Sequence, residues 1–330
     1  MPLFWPSSTS TTGARRVTEA RTRPLTDAGF GMVVDGPLSP DAAAGLRGLV
    51  DRSGAVLVRR SGVSSVEDLH RRVEGTLGGL LPYDDASTPR TEVAPGVHTA
   101  TEFPAELAIP PHNEQAYSSH APRYLAFFCD RPADAGGSTH LVDSNRWHEE
   151  IPASTRARFD TGGVTYVRNY YPWLAPNWQT AFRTDDPDVA LQRCRADGGE
   201  ASWRPDGLRT LHRRTATICH PETGDTVWFN QAHLFHPARL DDDTRVALRD
   251  LYEPDALPRD ARYGDGEPIP DDEIGEVLAA AQRCTVDVDL EAGDLLVLDN
   301  LRVAHGRLPF RGTRRMYVTM TGRWKVPTDG

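Results

Sequence analysis

Pro111-His112-Asn113-Glu114-Gln115 is the stretch on which the fold turns, and Asp299-Asn300-Leu301-Arg302-Val303-Ala304-His305-Gly306-Arg307, far downstream, completes it. Residues two apart on an extended strand project to the same face, so His112 and Glu114 reach one ion together. The third ligand has to be delivered by another part of the fold. We read His112, Glu114 and His305 as the ligands of a single Fe(II). Two imidazoles and one carboxylate on one face of a metal leave about three coordination positions open, the arrangement expected of non-haem iron oxygenases.

The run after His305 adds a second signal. In His305-Gly306-Arg307-Leu308-Pro309-Phe310-Arg311-Gly312-Thr313-Arg314-Arg315-Met316-Tyr317-Val318-Thr319-Met320, an apolar strand begins at Met316 and is entered through an arginine. This pattern resembles the taurine dioxygenase and clavaminate synthase-like superfamily of Fe(II)/2-oxoglutarate oxygenases. The resemblance implies that Arg315 clamps the distal carboxylate of 2-oxoglutarate. Arg314 beside it points to the opposite face of an extended segment, so one of the two lines the pocket. The superfamily also implies a mainly β fold, a double-stranded β-helix (jelly roll) with flanking helices.

The totals bound the alternatives. The chain has 330 residues, 38 % of them hydrophobic, enough for a core. No stretch approaches 18 uninterrupted apolar residues, so no membrane helix is expected. A formal charge of -10 disfavours nucleic-acid binding by bulk electrostatics. Cys129, Cys194, Cys219 and Cys284 are scattered and form no CxxC, as in a reduced, cytoplasmic protein. Residues 1–25, rich in Ser, Thr, Arg and Pro, contain Arg15-Arg16 without an apolar segment after it; they read as a tail rather than a signal. Residues 26–330 read as one domain, with no linker composition inside.

Along the chain, Ser39-Pro40 reads as a cap and first turn of a helix stopped by Gly54, and Ser64 or Ser65 opens another. Residues 81–111, 195–210 and 257–266 read as loops, the first as a lid before the metal pair. Arg123 to Cys129 is a nearly continuous apolar run, hence a strand buried on both faces. Gly136-Gly137 permits a tight turn before Thr139, and Ser144 reads as a helix cap. Two β-rich runs flanking Pro221 to Asp225 make a hairpin. His233 and His236 lack the HExxH pattern or nearby cysteines of a zinc site, and read as local hydrogen-bonding groups or as the substrate side of the cavity.

Further runs carry a closer resemblance over roughly residues 90 to 325: His112-Asn113-Glu114, Gly136-Gly137-Ser138-Thr139, His220-Pro221-Glu222-Thr223-Gly224, Trp228-Phe229-Asn230-Gln231, Tyr263-Gly264-Asp265-Gly266 and Leu298-Asp299-Asn300. They are similar to the subgroup typified by the syringomycin-cluster aspartyl β-hydroxylase. That subgroup implies hydroxylation of an unactivated C–H bond of an amino acid, free or tethered to a carrier protein of a nonribosomal peptide synthetase. It implies Fe(II), 2-oxoglutarate and O2 as the reaction's metal and co-substrates, and Thr139 as a second contact to the 2-oxoglutarate carboxylate. Halogenating relatives replace the metal-binding carboxylate with a small residue, so Glu114 implies no halide site. Where taurine dioxygenase has a second arginine four residues after its clamp, this chain has Thr319. An acidic substrate needs a cation, for which Arg168, Arg209 and Arg323 are candidates; Asn169, Asn230 and His233 are further candidates for the substrate side. Desaturation or cyclisation at the same iron site, a non-catalytic regulatory relative and a zinc hydrolase remain as alternatives.

Overall fold

The computed structural model describes residues 21–37, 40–83, 90–100 and 102–327, with the side chains of 40–44 left aside. The expected cap at Ser39 and most of the expected tail lie outside these residues. The described end of that tail, Arg21–Pro24, is an exposed edge strand paired antiparallel with Met32–Asp35.

Two sheets enclose the interior that holds the metal residues. The larger has eight strands, in the order Arg21–Pro24, Met32–Asp35, Ala55–Arg59, Leu295–Asp299, His120–Arg131, Arg315–Lys325, Val97–Thr99 and Glu92–Ala94. The smaller has four: Thr285–Val288, Thr139–Asp143, Val303–Arg307 and Ile109–His112. Leu125, Leu296, Leu298 and Met320 from the first pack against Leu141, Val288 and Val303 from the second.

Strand period explains why His120–Arg131 is apolar throughout. Leu125 and Phe127 face the interior, whereas Tyr124, Ala126 and Phe128 face Leu46, Val50, Leu69 and Val73 of the helices Pro40–Ser53 and Val66–Leu77. A buried leucine such as Leu125 contributes about 2 kcal/mol by leaving water. Ser65 caps the second of these helices, its hydroxyl accepting from the Asp68 amide at 3.1 Å.

A third sheet covers the outside of the small one. It runs Gly199–Arg204, Gly207–Arg214, Val164–Tyr170 and Arg259–Tyr263. Its Tyr166 and Tyr263 join Trp147, Trp228 and Val277 in a core that reaches Val142 and Ala304 on the reverse side of the small sheet. The strands that carry His112 and His305 are thus gripped from both faces.

Several expected loops are strands. Residues 81–111 contain the hairpin Glu92–Ala94/Val97–Thr99 and the strand Ile109–His112; 195–210 contains the turn of a hairpin; Arg259–Tyr263 pairs with Val164–Tyr170. These strands are short or polar on their outer face, and register with distant partners, not local pattern, holds them. Asp143, not Ser144, caps the helix Ser144–Glu150, its carboxylate accepting from the Asn145 amide at 3.0 Å. Gly136 is required where it stands: it has φ +71, and a Cβ there would lie 2.5 Å from the Pro309 carbonyl. All four cysteines are free. Among the described residues no helix is long and apolar enough to cross a membrane.

Candidate metal centre and active site

His305 and His112 are cross-strand partners in the small sheet. Directly opposed residues on antiparallel strands place their Cβ atoms about 5 Å apart on one face, which is how two distant segments aim two imidazoles at one point. The ring centroids lie 4.6 Å apart. Close approach of the strands depends on Gly306, where a Cβ would sit 2.3 Å from the Ile109 carbonyl.

Glu114 reaches the same point by a different route from simple strand alternation. The strand ends at His112, and Glu114 stands at the entry to a turn. Asn300 fixes it there: its Oδ1 accepts from the Glu114 amide at 2.7 Å and its Nδ2 donates to the Glu114 carbonyl at 3.1 Å. Asn113 turns inward and donates to the Asn300 carbonyl at 2.7 Å, while Gln231 donates to the Asn113 carbonyl at 2.7 Å. Behind Asn300, Asp299 accepts from His220 at 2.9 Å and pairs with Arg123 at 2.9 Å. The Leu298-Asp299-Asn300, His220 and Asn230-Gln231 runs therefore build the frame of the metal loop rather than the reacting surface.

The donor atoms fit a divalent ion. Glu114 Oε2 lies 3.9 Å from His112 Nε2 and 3.8 Å from His305 Nε2, and all three donors fall within 4.8 Å of one another. An ion bonded at about 2.1 Å to three cis ligands draws such atoms to about 3 Å, a contraction that rotamer adjustment supplies. His112 Nδ1 donates to the Pro110 carbonyl at 3.0 Å, which leaves Nε2 for the metal. Burial, with His112 and Arg90 nearby, holds the His305 imidazole well below its ordinary pKa, hence neutral, as a ligand must be. Phe127 packs against its ring at 5.1 Å between centroids.

Arg90 was not foreseen in the sequence. Its side chain is 3 % exposed and donates to Glu114 Oε2 at 2.8 Å, and it rests over the Tyr83 ring at 4.7 Å. It lies in a stretch that reads as loop, without any local pattern to mark it.

The arginine assignment is corrected. Arg315 turns outward: it is mostly exposed and ion-pairs with Asp130, which raises its pKa. Arg314 is the inward residue, lying over the Phe310 ring and against Gly137. Burial, reinforced by the nearby Arg307 cation, brings its pKa down to about 10. Alternation along the strand agrees: Met320 and Val318 pair with Leu125 and Phe127 on the interior side, which turns Arg314 inward and Arg315 outward. Arg307 shares the inner face with His305 and donates to the Pro104 and Leu107 carbonyls at 2.7 Å each. Thr139, paired with Arg307 across the sheet and buried, projects to the same side.

The substrate-side candidates divide in two: Arg168 and Arg323 on one hand, and residues engaged by other parts of the fold on the other. Both arginines line a cavity of about 700 Å³. It begins at Gln115 and Tyr117, in the turn that follows Glu114. Asn169 instead donates to the Asp255 and Leu257 carbonyls, and Arg209 serves the same loop through the Asp255 carbonyl and carboxylate. Asn230 is fully buried, donating to the Ala216 carbonyl and accepting from the Ala232 amide. His233 is buried behind the metal loop, donating to the Pro111 carbonyl at 2.9 Å, and burial lowers its pKa to about 4. His236 likewise meets the Ile269 carbonyl at 3.0 Å. Each is a polar residue satisfied by backbone, a role that residue type alone does not distinguish from substrate binding.

Comparison with known proteins agrees with this geometry. The model of the taurine catabolism dioxygenase TauD, TfdA family matches residues 21–321. The dapdiamide synthesis protein DdaC of Enterobacter agglomerans is 34 % identical over 273 residues, covering 82 % of this chain and 83 % of its own. A clavaminate synthase-like protein of Arabidopsis thaliana is 31 % identical over 289 residues, with 83 % of each chain covered. The solved structure of PvcB from Pseudomonas aeruginosa, at 16 % identity, shares the fold with a TM-score of 0.54 over 97 % of this chain and 98 % of its own. The extent of the family match and the two relatives above 30 % identity establish that the chain belongs to the TauD/TfdA family, as a non-haem Fe(II)- and 2-oxoglutarate-dependent dioxygenase.

Proposed function

We propose that this enzyme hydroxylates an unactivated C–H bond of an amino acid or amino-acid-derived substrate, free or carrier-bound, in natural-product biosynthesis. The observation that carries the reading is the convergence of His112, Glu114 and His305 beside a cavity large enough for such a molecule. The names of two similar proteins support the biosynthetic setting: one is a dapdiamide synthesis protein, the other an oxygenase from an isonitrile synthetic pathway. The two facing sheets and flanking helices support a jelly-roll reading of the fold, with residues 26–330 as one catalytic unit.

In this reading His112, Glu114 and His305 hold Fe(II). Arg314 meets the far carboxylate of 2-oxoglutarate with its planar fork, and Thr139 adds a hydroxyl. When bound, the iron and its co-substrate supply the oxidising chemistry, consuming O2 and releasing succinate and CO2. The chain supplies position and dryness. Asn300 and Asn113 hold the Glu114 backbone, Phe127 shields His305 from water, and Arg90 orients the buried Glu114 carboxylate. The test is succinate release against a panel of free and carrier-loaded amino acids, with product masses. Gain of one oxygen atom is expected; a product that has lost two hydrogens instead overturns hydroxylation in favour of desaturation or cyclisation.

A further inference from the structure

The segment 102–108 bridges the two sheets around the metal residues. It follows Val97–Thr99 of the large sheet and leads into Ile109–His112, an edge strand of the small one. None of its side chains is buried, and Phe103 and Leu107 are 38 % and 49 % exposed. Apolar burial therefore does not hold it. At its start the Glu102 carboxylate accepts from the hydroxyls of Thr91 at 2.7 Å and Thr99 at 3.1 Å. Its middle hangs by the backbone. The Phe310 amide donates to the Ala105 carbonyl at 2.9 Å, and Arg307 donates to the Pro104 and Leu107 carbonyls at 2.7 Å each and reaches that of Phe103 at 3.5 Å. A segment with few buried contacts sits at the low end of local stability, so a single guanidinium on three of its carbonyls largely decides where it lies.

Arg307 faces the co-substrate side as well. It is buried, it stands two residues after His305 on the same face of the strand, and its cross-strand partner is Thr139. Its guanidinium lies 4.7 Å from the centre of the Phe310 ring, and that of Arg314 lies 5.9 Å from the same centre. Two cations thus share one ring. Among the described residues neither is ion-paired with a carboxylate. Glu106, the acid that acts on Arg307, is exposed on the segment itself, where water and salt screen it. The partners of Arg307 are neutral carbonyls, and its Nε is buried with no hydrogen-bond partner among the described residues. A buried donor without an acceptor is costly, and like charges side by side repel more strongly where water is excluded. An anion arriving between Arg307 and Arg314 relieves both.

We infer that Arg307 is a positioning residue for the co-substrate, stapling the segment 102–108 across the end of the pocket that receives the far carboxylate of 2-oxoglutarate. The inference rests on the co-substrate site proposed above and adds a moving part to it. While Nη2 holds the carbonyls of the segment, Nε meets the arriving carboxylate, so one guanidinium is pinned from two sides. Occupancy and closure are then linked. Co-substrate tightens the segment, and the fixed segment keeps water from the carboxylate and its two arginines.

The test uses the full chain, anaerobic and loaded with Fe(II), and follows amide hydrogen exchange in peptides covering 102–108. Saturating 2-oxoglutarate should slow exchange there about 10-fold or more, the scale of one added charge-assisted hydrogen bond. Pyruvate, which offers the same oxo-acid end without a far carboxylate, should leave the segment as it was. Arg307→Lys keeps the cation but loses the fork that spans the carbonyls. In this variant the segment should exchange faster than in the wild type before any ligand is added, and 2-oxoglutarate should no longer slow it. Its affinity for 2-oxoglutarate, read from the charge-transfer band, should fall about 10-fold, while Co(II) binding stays at the wild-type level. Unchanged exchange in the wild-type protein with 2-oxoglutarate bound, equal slowing by pyruvate, wild-type behaviour of Arg307→Lys, or a Co(II) affinity that falls as far as that for 2-oxoglutarate each overturns the inference. The wild-type exchange measurement decides alone if the variant does not fold. A normal charge-transfer band without slowing removes only this inference, whereas loss of the band in the wild-type protein removes the iron reading beneath it and this inference together.

Discussion

Replacing Arg314 with alanine should cripple 2-oxoglutarate binding, and replacing its neighbour should not. Arg314 has been drawn out of water far enough to bring its pKa down to about 10, with Arg307 as a second cation beside it. A dicarboxylate end arriving there meets two desolvated cations. Net hydrogen bonds to charged groups contribute about 1.5–3 kcal/mol, which is roughly 10- to 150-fold in affinity. Partial burial and the bidentate fork favour the upper part of that range. Arg315 is exposed and held by Asp130 on the outer surface, so Arg315→Ala should leave co-substrate affinity within error. The assay is an anaerobic titration of the Fe(II) protein with 2-oxoglutarate, following the charge-transfer band. Arg314→Lys should give an intermediate value, because it keeps the charge and loses the fork. If Arg315→Ala weakens 2-oxoglutarate while Arg314→Ala does not, the inward and outward assignments are reversed and the co-substrate site described above is wrong.

Three further outcomes follow from the frame around the metal. Asn300→Ala strands the buried Glu114 amide and two carbonyls that Asn300 now serves; a loss of about 3 kcal/mol in denaturant stability is expected, with weaker Co(II) binding, and an unchanged midpoint would contradict the role of Asn300. Gly306→Ala forces a methyl against the Ile109 carbonyl and should cost about 1–3 kcal/mol, detected as a lower Tm with reduced metal affinity. His233 stays neutral in the folded chain down to about pH 4, while the unfolded chain takes up the proton near pH 6.5. Its contribution is therefore complete above pH 6.5 and lost as pH falls towards 4, by about 3 kcal/mol. Urea midpoints between pH 7 and 4.5 should fall less steeply in His233→Gln, and an identical slope in both proteins would count against this account.

The candidate metal ligands were legible because ligand chemistry is carried by residue type. His112, Glu114 and His305 are the residues that the pattern selects, and the structure brings them together. The strand His120–Arg131 was legible for a similar reason, since burial on both faces leaves a continuous apolar run. What stayed hidden depended on register or on solvation. Arg314 turns inward because it shares a face with Met320, and the sequence of the strand does not say which of its faces is the interior one. Asn169, Asn230 and His233 carry groups suited to a substrate, yet backbone partners far away in sequence consume them. The short strands Glu92–Ala94 and Val97–Thr99 form against Arg315–Lys325, whose sequence gives no sign of where they dock.

The facing of His112 and His305 across one sheet has a consequence for how the protein handles its metal. An ion bound between them acts as a rivet through the edge strand Ile109–His112, so occupancy and strand pairing are thermodynamically linked. Iron should slow amide exchange along that strand and raise the melting temperature as its concentration rises. Stripping the ion should fray the same strand first and carry Glu114 out of register with it. The apoprotein would then lose its docking point for co-substrate and metal together, so that reloading resembles closing a seam more than filling a hole.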